Sequence, residues 1–290
     1  MTALRELTVI SGKGGTGKTT LTAAFASLAQ NAVMADCDVD AADLHLILDP
    51  KVKERIPFHG LQLAVRDEGL CNQCGECEDH CRFGAVDSNY SIIEERCEGC
   101  GVCELICPTE AISLVDRVSG TAYLSETRFG PMAHAELHTA EEASGKLVTL
   151  VRNLAKKLAK VNGRDIILID GPPGIGCPVI AAISGVNMVL VVTEPTVSGV
   201  HDLERVLGVA DHFKVKAAVC VNKADINMDM TRIIQGFCSK RGVEVIGLIP
   251  YDNAATEAMI AGKTLIEHGE GVLSAEVRRI WSKVVRMLCG

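Results

Sequence analysis

The chain alternates between continuous aliphatic runs and stretches whose apolar residues recur every three or four positions. Residues 7–10 read as a short apolar strand that runs straight into a glycine-rich segment, SGKGGTGKTT. Residues 18–30 then predict a helix, and residues 32–35 a second strand that ends at Asp36. Strand, loop, helix and strand in that order open a parallel α/β fold. The pattern breaks after about Gly60. Between Asp67 and Glu110 the segments are short, polar and punctuated by cysteines, with no long helical period. It then resumes with a helix over 145–161, where Leu147, Leu150, Val151, Leu154 and Leu158 fall near one face. Strands follow at 166–169, ending at Asp170, and at 186–193, 215–221 and 243–249. Helices are predicted at 199–212, 231–241, 256–261 and 273–288. The last carries Leu273, Val277, Ile280, Val284 and Leu288 on one stripe, with Trp281 beside it for packing against the sheet.

Composition narrows this picture. The 290 residues suffice for one large α/β domain with a smaller passenger. Hydrophobic residues at 48% and charged residues at 23% suit a soluble globular chain, and aromatics at 3% make the core aliphatic. A net charge of −8 argues against non-specific nucleic-acid binding, which needs a basic footprint. No apolar run reaches membrane-spanning length and the first ten residues lack a signal-peptide core, so no stable membrane insertion and a cytoplasmic location are expected. Of thirteen cysteines, eight lie between Cys71 and Cys107. In a reducing compartment such clustering reads as metal ligation rather than disulfide stapling.

The segment Gly12-Lys13-Gly14-Gly15-Thr16-Gly17-Lys18-Thr19, followed by Thr20, fits G-x-x-x-x-G-K-[ST] between a strand and a helix. Its glycines let successive backbone N–H groups turn toward one anion, and the helix start adds its positive end. Lys18 is expected to contact the β and γ phosphates of ATP, and Thr19 to hold Mg²⁺ through its hydroxyl. Asp170 ends an aliphatic strand before Gly-Pro-Pro-Gly, where a carboxylate binds Mg²⁺ through water or caps a turn. Asp36, Asp38, Asp40 and Asp43 crowd the end of the second strand and cannot all be buried and ionised without partners.

With Lys13 in place, the loop resembles the deviant Walker A motif of the ParA/MinD/Mrp and nitrogenase-iron-protein ATPases. That resemblance implies ATP held between two subunits, with Lys13 reaching the partner's phosphates. It implies that Asp38 activates water, with Asp38 also expected beside Thr19 and Asp170 at Mg²⁺, and that Asp170-Gly171-Pro172-Pro173-Gly174 is a switch segment. It also implies that Asn222-Lys223 contacts adenine while Pro250-Tyr251-Asp252 closes over the base. A homodimer, or a heterodimer with a paralogous ATPase, follows.

Cys71, Cys74, Cys77 and Cys81 have the spacing C-x2-C-x2-C-x3-C, and Cys97, Cys100, Cys103 and Cys107 repeat it before Pro108. This is the two-cluster ferredoxin pattern, in which the fourth cysteine of each run crosses over. Two [4Fe-4S] clusters are therefore expected, one on Cys71, Cys74, Cys77 and Cys107, the other on Cys97, Cys100, Cys103 and Cys81. Four thiolates would also suit zinc. The fold class expected is α/β: a parallel-sheet P-loop NTPase fold with an inserted small α+β ferredoxin-like domain. Residues 1–60 and 116–290 would form the ATPase and 61–115 the insert. The arrangement resembles MinD-superfamily ATPases carrying such an insert.

The remaining cysteines read as packing residues (Cys37, Cys220, Cys238), an interface thiol (Cys177) and a tail residue (Cys289). His134 and His138 read as surface residues four apart on a helix. Three functions follow. The leading one couples ATP-driven dimer closure to electron transfer through the clusters, with a redox or metallocofactor protein as client. The others are an ATPase assisting iron–sulfur or metallocofactor maturation, and a positioning or regulatory ATPase of the MinD or ParA type.

Overall fold

A computed structural model describes residues 4–138 and 145–290. In chain order its first elements are β1 (Arg5–Ser11), α1 (Lys18–Leu28), β2 (Ala32–Asp36), α2 (Leu44–Leu48), β3 (Lys51–Arg66), α3 (Glu76–Asp79), α4 (Val102–Ile106), β4 (Ile112–Thr127) and β5 (Gly130–Leu137). They continue with α5 (Gly145–Val161), β6 (Ile166–Pro173), α6 (Cys177–Ile183), β7 (Met188–Thr193), α7 (Val197–His212), β8 (Lys216–Asn222) and α8 (Met228–Lys240). β9 (Glu244–Ile249), α9 (Ala254–Ile260), α10 (Leu265–His268) and α11 (Val272–Cys289) close the chain. The strand order is β3-β4-β5-β2-β6-β1-β7-β8-β9. The pairs β5–β2, β2–β6, β6–β1, β1–β7, β7–β8 and β8–β9 are parallel. Two compact units result: residues 4–55, 122–136 and 145–290 in one, 56–121 and 137–138 in the other.

In the first unit the central strands read as unbroken aliphatic runs because helices cover both faces of the sheet. β7 (MVLVVT) is buried at all six positions. On one face α1, α10 and α11 bury Leu21, Phe25, Leu265, Val277 and Ile280 in a single cluster with Leu7, Met34 and Leu190. Phe25 and Trp281 meet there with ring centroids 5.0 Å apart. α11 lies so close to β9 that a Cβ on Gly247 would strike the Ile280 side chain. α5 and α6 pack on each other, and α5 also packs on β2 and β6. α5 is anchored by buried Glu6, which accepts from Arg152 at 2.7 Å and pairs with Lys156 at 2.9 Å.

The second unit holds most of β3 and β4, the short helices α3 and α4, and a small core of Ala64, Cys77, Val86 and Ile112. Val86 and Ile92 form an isolated bridge. The expectation of an inserted α+β ferredoxin-like domain is corrected here. Among the described residues no group of three or more His, Cys, Asp or Glu side chains is placed to hold a metal ion. What the strand pairing supports is the parallel-sheet P-loop fold. Two further differences concern the strands. β3 and β4, sixteen residues each, lie where no strand is predicted. His134 lies on β5 rather than on a helix, and it is buried, whereas His138 follows the strand and is exposed. The His134 ring stacks on Tyr123 at 4.9 Å and its Nε2 lies 2.9 Å from the Ser125 hydroxyl. Burial, with His45 nearby, lowers its pKa to about 4.

Candidate functional site

Parallel strands deliver their C-terminal ends to one edge of the sheet, and in open α/β folds ligands bind at that edge. β1 ends there at Ser11, β2 at Asp36, β7 at Thr193 and β8 at Asn222. β6 delivers Asp170, which pairs in register with Asp36. The loop from Gly12 to Gly17 links β1 to α1. Gly15 and Gly17 have φ of 77° and 88°, values that favour glycine. At Gly17 a Cβ would also strike the Asn222 amide, which donates to the Thr16 carbonyl at 2.8 Å. The Thr16 hydroxyl is buried without a hydrogen-bond partner among the described residues. A cradle of loop amides with one unsatisfied donor is chemistry suited to an anion.

Lys18 is the first residue of α1 and is buried. Its Nζ donates to Asp38 at 3.1 Å and to Asp170 at 3.2 Å. Asp170 is fully buried and also accepts from the hydroxyls of Thr19 at 2.7 Å and Thr22 at 3.0 Å. Asp36, likewise buried, accepts the backbone N–H groups of Asp38 and Leu44 and so shapes the turn that follows β2. The electrostatics follow from one cation facing three carboxylates. Burial opposes the Lys18 charge, but Asp170, Asp38 and Asp36 outweigh it and hold its pKa above the ordinary value. Burial, then the Asp170 charge, pushes Asp36 well above the usual carboxylate range. Asp38 is raised by burial despite Lys18 beside it.

Beside the loop lies a cavity of about 200 Å³ lined by Gly15, Gly17, Thr20, Asn222, Lys223, Pro250 and Tyr251. Lys13 is half exposed, 3.5 Å from Glu194 Oε2, while Lys223 Nζ reaches the other oxygen of Glu194 at 2.6 Å. Asp225 accepts the Tyr251 backbone N–H at 2.7 Å and so fixes the segment that borders the cavity. Sequence reasoning missed Glu194, Asp225 and Thr22. For Glu194 a signal existed: it follows an aliphatic strand, as Asp170 ends one.

The eight clustered cysteines are divided between two cavities. Cys71, Cys74, Cys77 and Cys107 line one; Cys81, Cys97, Cys100 and Cys103 line the other. Their sulfurs accept backbone N–H groups: Cys107 from Ala111 at 3.2 Å, Cys81 from Ala85 at 3.4 Å and Cys97 from Ala64 at 3.5 Å. The expectation that these eight residues hold two [4Fe-4S] clusters is corrected by the lack, among the described residues, of a His/Cys/Asp/Glu group placed to hold a metal ion. The electron-transfer role and the cluster cofactors built on that expectation go with it. Cys37, Cys220 and Cys238 are buried packing residues, and Cys177 and Cys289 are exposed. Among the described residues no helix is long and apolar enough to cross a membrane.

The family model for the CobQ/CobB/MinD/ParA nucleotide binding domain matches residues 7–266. An uncharacterised protein of Methanocaldococcus jannaschii is 34% identical over 285 residues, covering 97% of this chain and 96% of the relative. Among solved structures, the septum site-determining protein MinD of Pyrococcus horikoshii complexed with Mg-ADP superposes with a TM-score of 0.60 at 18% identity, covering 97% of this chain and 96% of that one. The MinC:MinD cell division protein complex of Aquifex aeolicus gives a TM-score of 0.58 at 20% identity, with 97% and 96% covered. At these identities the structural likeness bears on the fold alone. The family match spans most of the sequence, and on that ground the chain belongs to the CobQ/CobB/MinD/ParA nucleotide-binding family.

Proposed function

We propose that this protein is an ATP-binding and ATP-hydrolysing switch of the MinD/ParA type, acting in positioning or regulation by associating with a second copy of itself and with a protein partner. The observation that carries the reading is the Lys18 ammonium held between Asp38 and Asp170 at the end of a glycine loop, with the Thr19 hydroxyl on the same carboxylate. This puts first a function that stands among the alternatives in the sequence. The family match over residues 7–266 favours it over redox coupling, for which the described residues offer no metal-holding group.

Phosphates would enter the loop's amides, and Lys18 would turn from its two carboxylates to their oxygens. Thr19 and Asp170 are the residues that would hold Mg²⁺, and the donor set fits. A hydroxyl and a carboxylate 2.7 Å apart match an ion that keeps most of its ligands as water and phosphate oxygen. Bound there, the ion neutralises charge on the transferring phosphoryl group. Asp38, once Lys18 has turned away, is free to orient the attacking water. Asn222, Lys223, Pro250 and Tyr251 would enclose the base in the adjoining cavity. Lys13 would reach the phosphates bound by the partner copy, and the sealed interface would exclude water.

Turnover and binding separate the roles. Asp38→Asn should keep Mg·ATP affinity within a few-fold of the wild type while lowering hydrolysis by about 100-fold, in the range of a lost acid–base or water-orienting group. Lys18→Ala should lose binding itself. Equal hydrolysis by wild type and Asp38→Asn would overturn the assignment of Asp38.

A further inference from the structure

Glu194 stands between two lysines that the proposed function uses for different purposes. It follows β7, and its side chain is only 12% exposed. Its own backbone carbonyl accepts the Thr196 N–H at 2.8 Å, and Thr196 in turn caps α7 by accepting from Gly199 at 2.9 Å. These bonds fix the Glu194 backbone just before α7, and the carboxylate itself is held by the two lysines. Its Oε1 takes the Lys223 ammonium at 2.6 Å, while its Oε2 lies 3.5 Å from Lys13, whose side chain is 37% exposed.

We propose that Glu194 is a positioning residue for Lys13: it holds that lysine within its own subunit and so competes with the partner's phosphates for it. The inference rests on the dimer reading given above. The two contacts are unequal in the way this task requires. The short pair with Lys223 keeps the carboxylate charge compensated, so the longer pair can open without leaving a buried charge alone. Lys13, on the solvent side, then exchanges one anion for another of higher charge. Because the contact is long and part-exposed, its hold is weak. Glu194 therefore tunes the threshold of association rather than forbidding it.

The test is the dimer dissociation constant at saturating Mg²⁺ and a non-hydrolysable ATP analogue, measured by sedimentation at varied protein concentration. Saturation removes any effect of the substitution on nucleotide affinity through Lys223. Glu194→Gln should associate about two- to five-fold more tightly than the wild type, the span of an exposed pair. Glu194→Asp, one methylene shorter and still charged beside Lys223, should move the same way, which guards against a variant that folds poorly. A Lys13→Ala chain should stay monomeric, and adding Glu194→Gln to it should not restore association. An unchanged or weaker dimer, or the same tightening without Lys13, would overturn the proposal. A wild type that stays monomeric at saturation would instead sink the dimer reading on which it stands.

Discussion

Lys18→Met keeps the length and apolar stem of the side chain and removes only the ammonium. It leaves Asp170 and Asp36, both fully buried, and Asp38, 7% exposed, without their shared cation. Removing one partner from a buried ion pair costs about 3–5 kcal/mol. Here the lower end applies, because Asp36 already has a pKa well above the carboxylate norm and can take up a proton instead. The expected loss of folding stability is about 3 kcal/mol at pH 7. Its pH dependence has a definite sign. A carboxyl whose folded pKa is raised binds more protons folded than unfolded, so its penalty is full above the folded pKa and fades as pH falls toward the unfolded value near 3.9. Urea unfolding of wild type and Lys18→Met at pH 7 and at pH 5 should show the gap shrinking at the lower pH. A variant as stable as the wild type at pH 7, or a gap that stays constant with pH, would refute the charge argument.

Other consequences are simpler to read. Gly17→Ala meets both a φ of 88° and the Asn222 amide, so it should lower stability by about 1–2 kcal/mol and weaken nucleotide binding by at least about ten-fold, seen as a reduced Tm shift with Mg·ATP. Glu267 is held down to about pKa 2, first by its hydrogen bond from Arg128 at 2.7 Å, and it also closes the capping box of α10 with Thr264. Its contribution is present above the unfolded glutamate pKa and lost as pH falls through about 2. Glu267→Gln should therefore cost about 1–2 kcal/mol at pH 7 and almost nothing near pH 2, by denaturant titration.

What was legible in the sequence follows from burial. β6 and β7 lie in the interior of a parallel sheet, and strands covered on both faces read as unbroken aliphatic runs. Asp36 and Asp170 were visible because each ends such a run. β3 (KVKERIPFHGLQLAVR) was illegible because it stands at the end of the strand order and buries little, so it carries charge and a proline instead of a pattern. His134 misled because spacing of four suits a helix, while the structure places it on β5, stacked on Tyr123 of the preceding strand β4, which the sequence pattern did not reveal. Glu194 was legible only as a carboxylate after an aliphatic strand; that Lys13 and Lys223 reach it from two separate loops was not. The cysteine spacing led to two iron–sulfur clusters and could not show that the side chains lack a metal-holding arrangement among the described residues.

If the glycine loop, Lys18, Asp38 and Asp170 make this chain a nucleotide-dependent switch, its association state must follow the bound nucleotide. Sedimentation velocity of the full chain with Mg·ADP and with Mg²⁺ plus a non-hydrolysable ATP analogue tests it most directly. A nucleotide switch of this kind should be a monomer with ADP, a dimer with the analogue, and a monomer in both for Lys13→Ala. The same sedimentation coefficient with either nucleotide, or no binding of either, would contradict it.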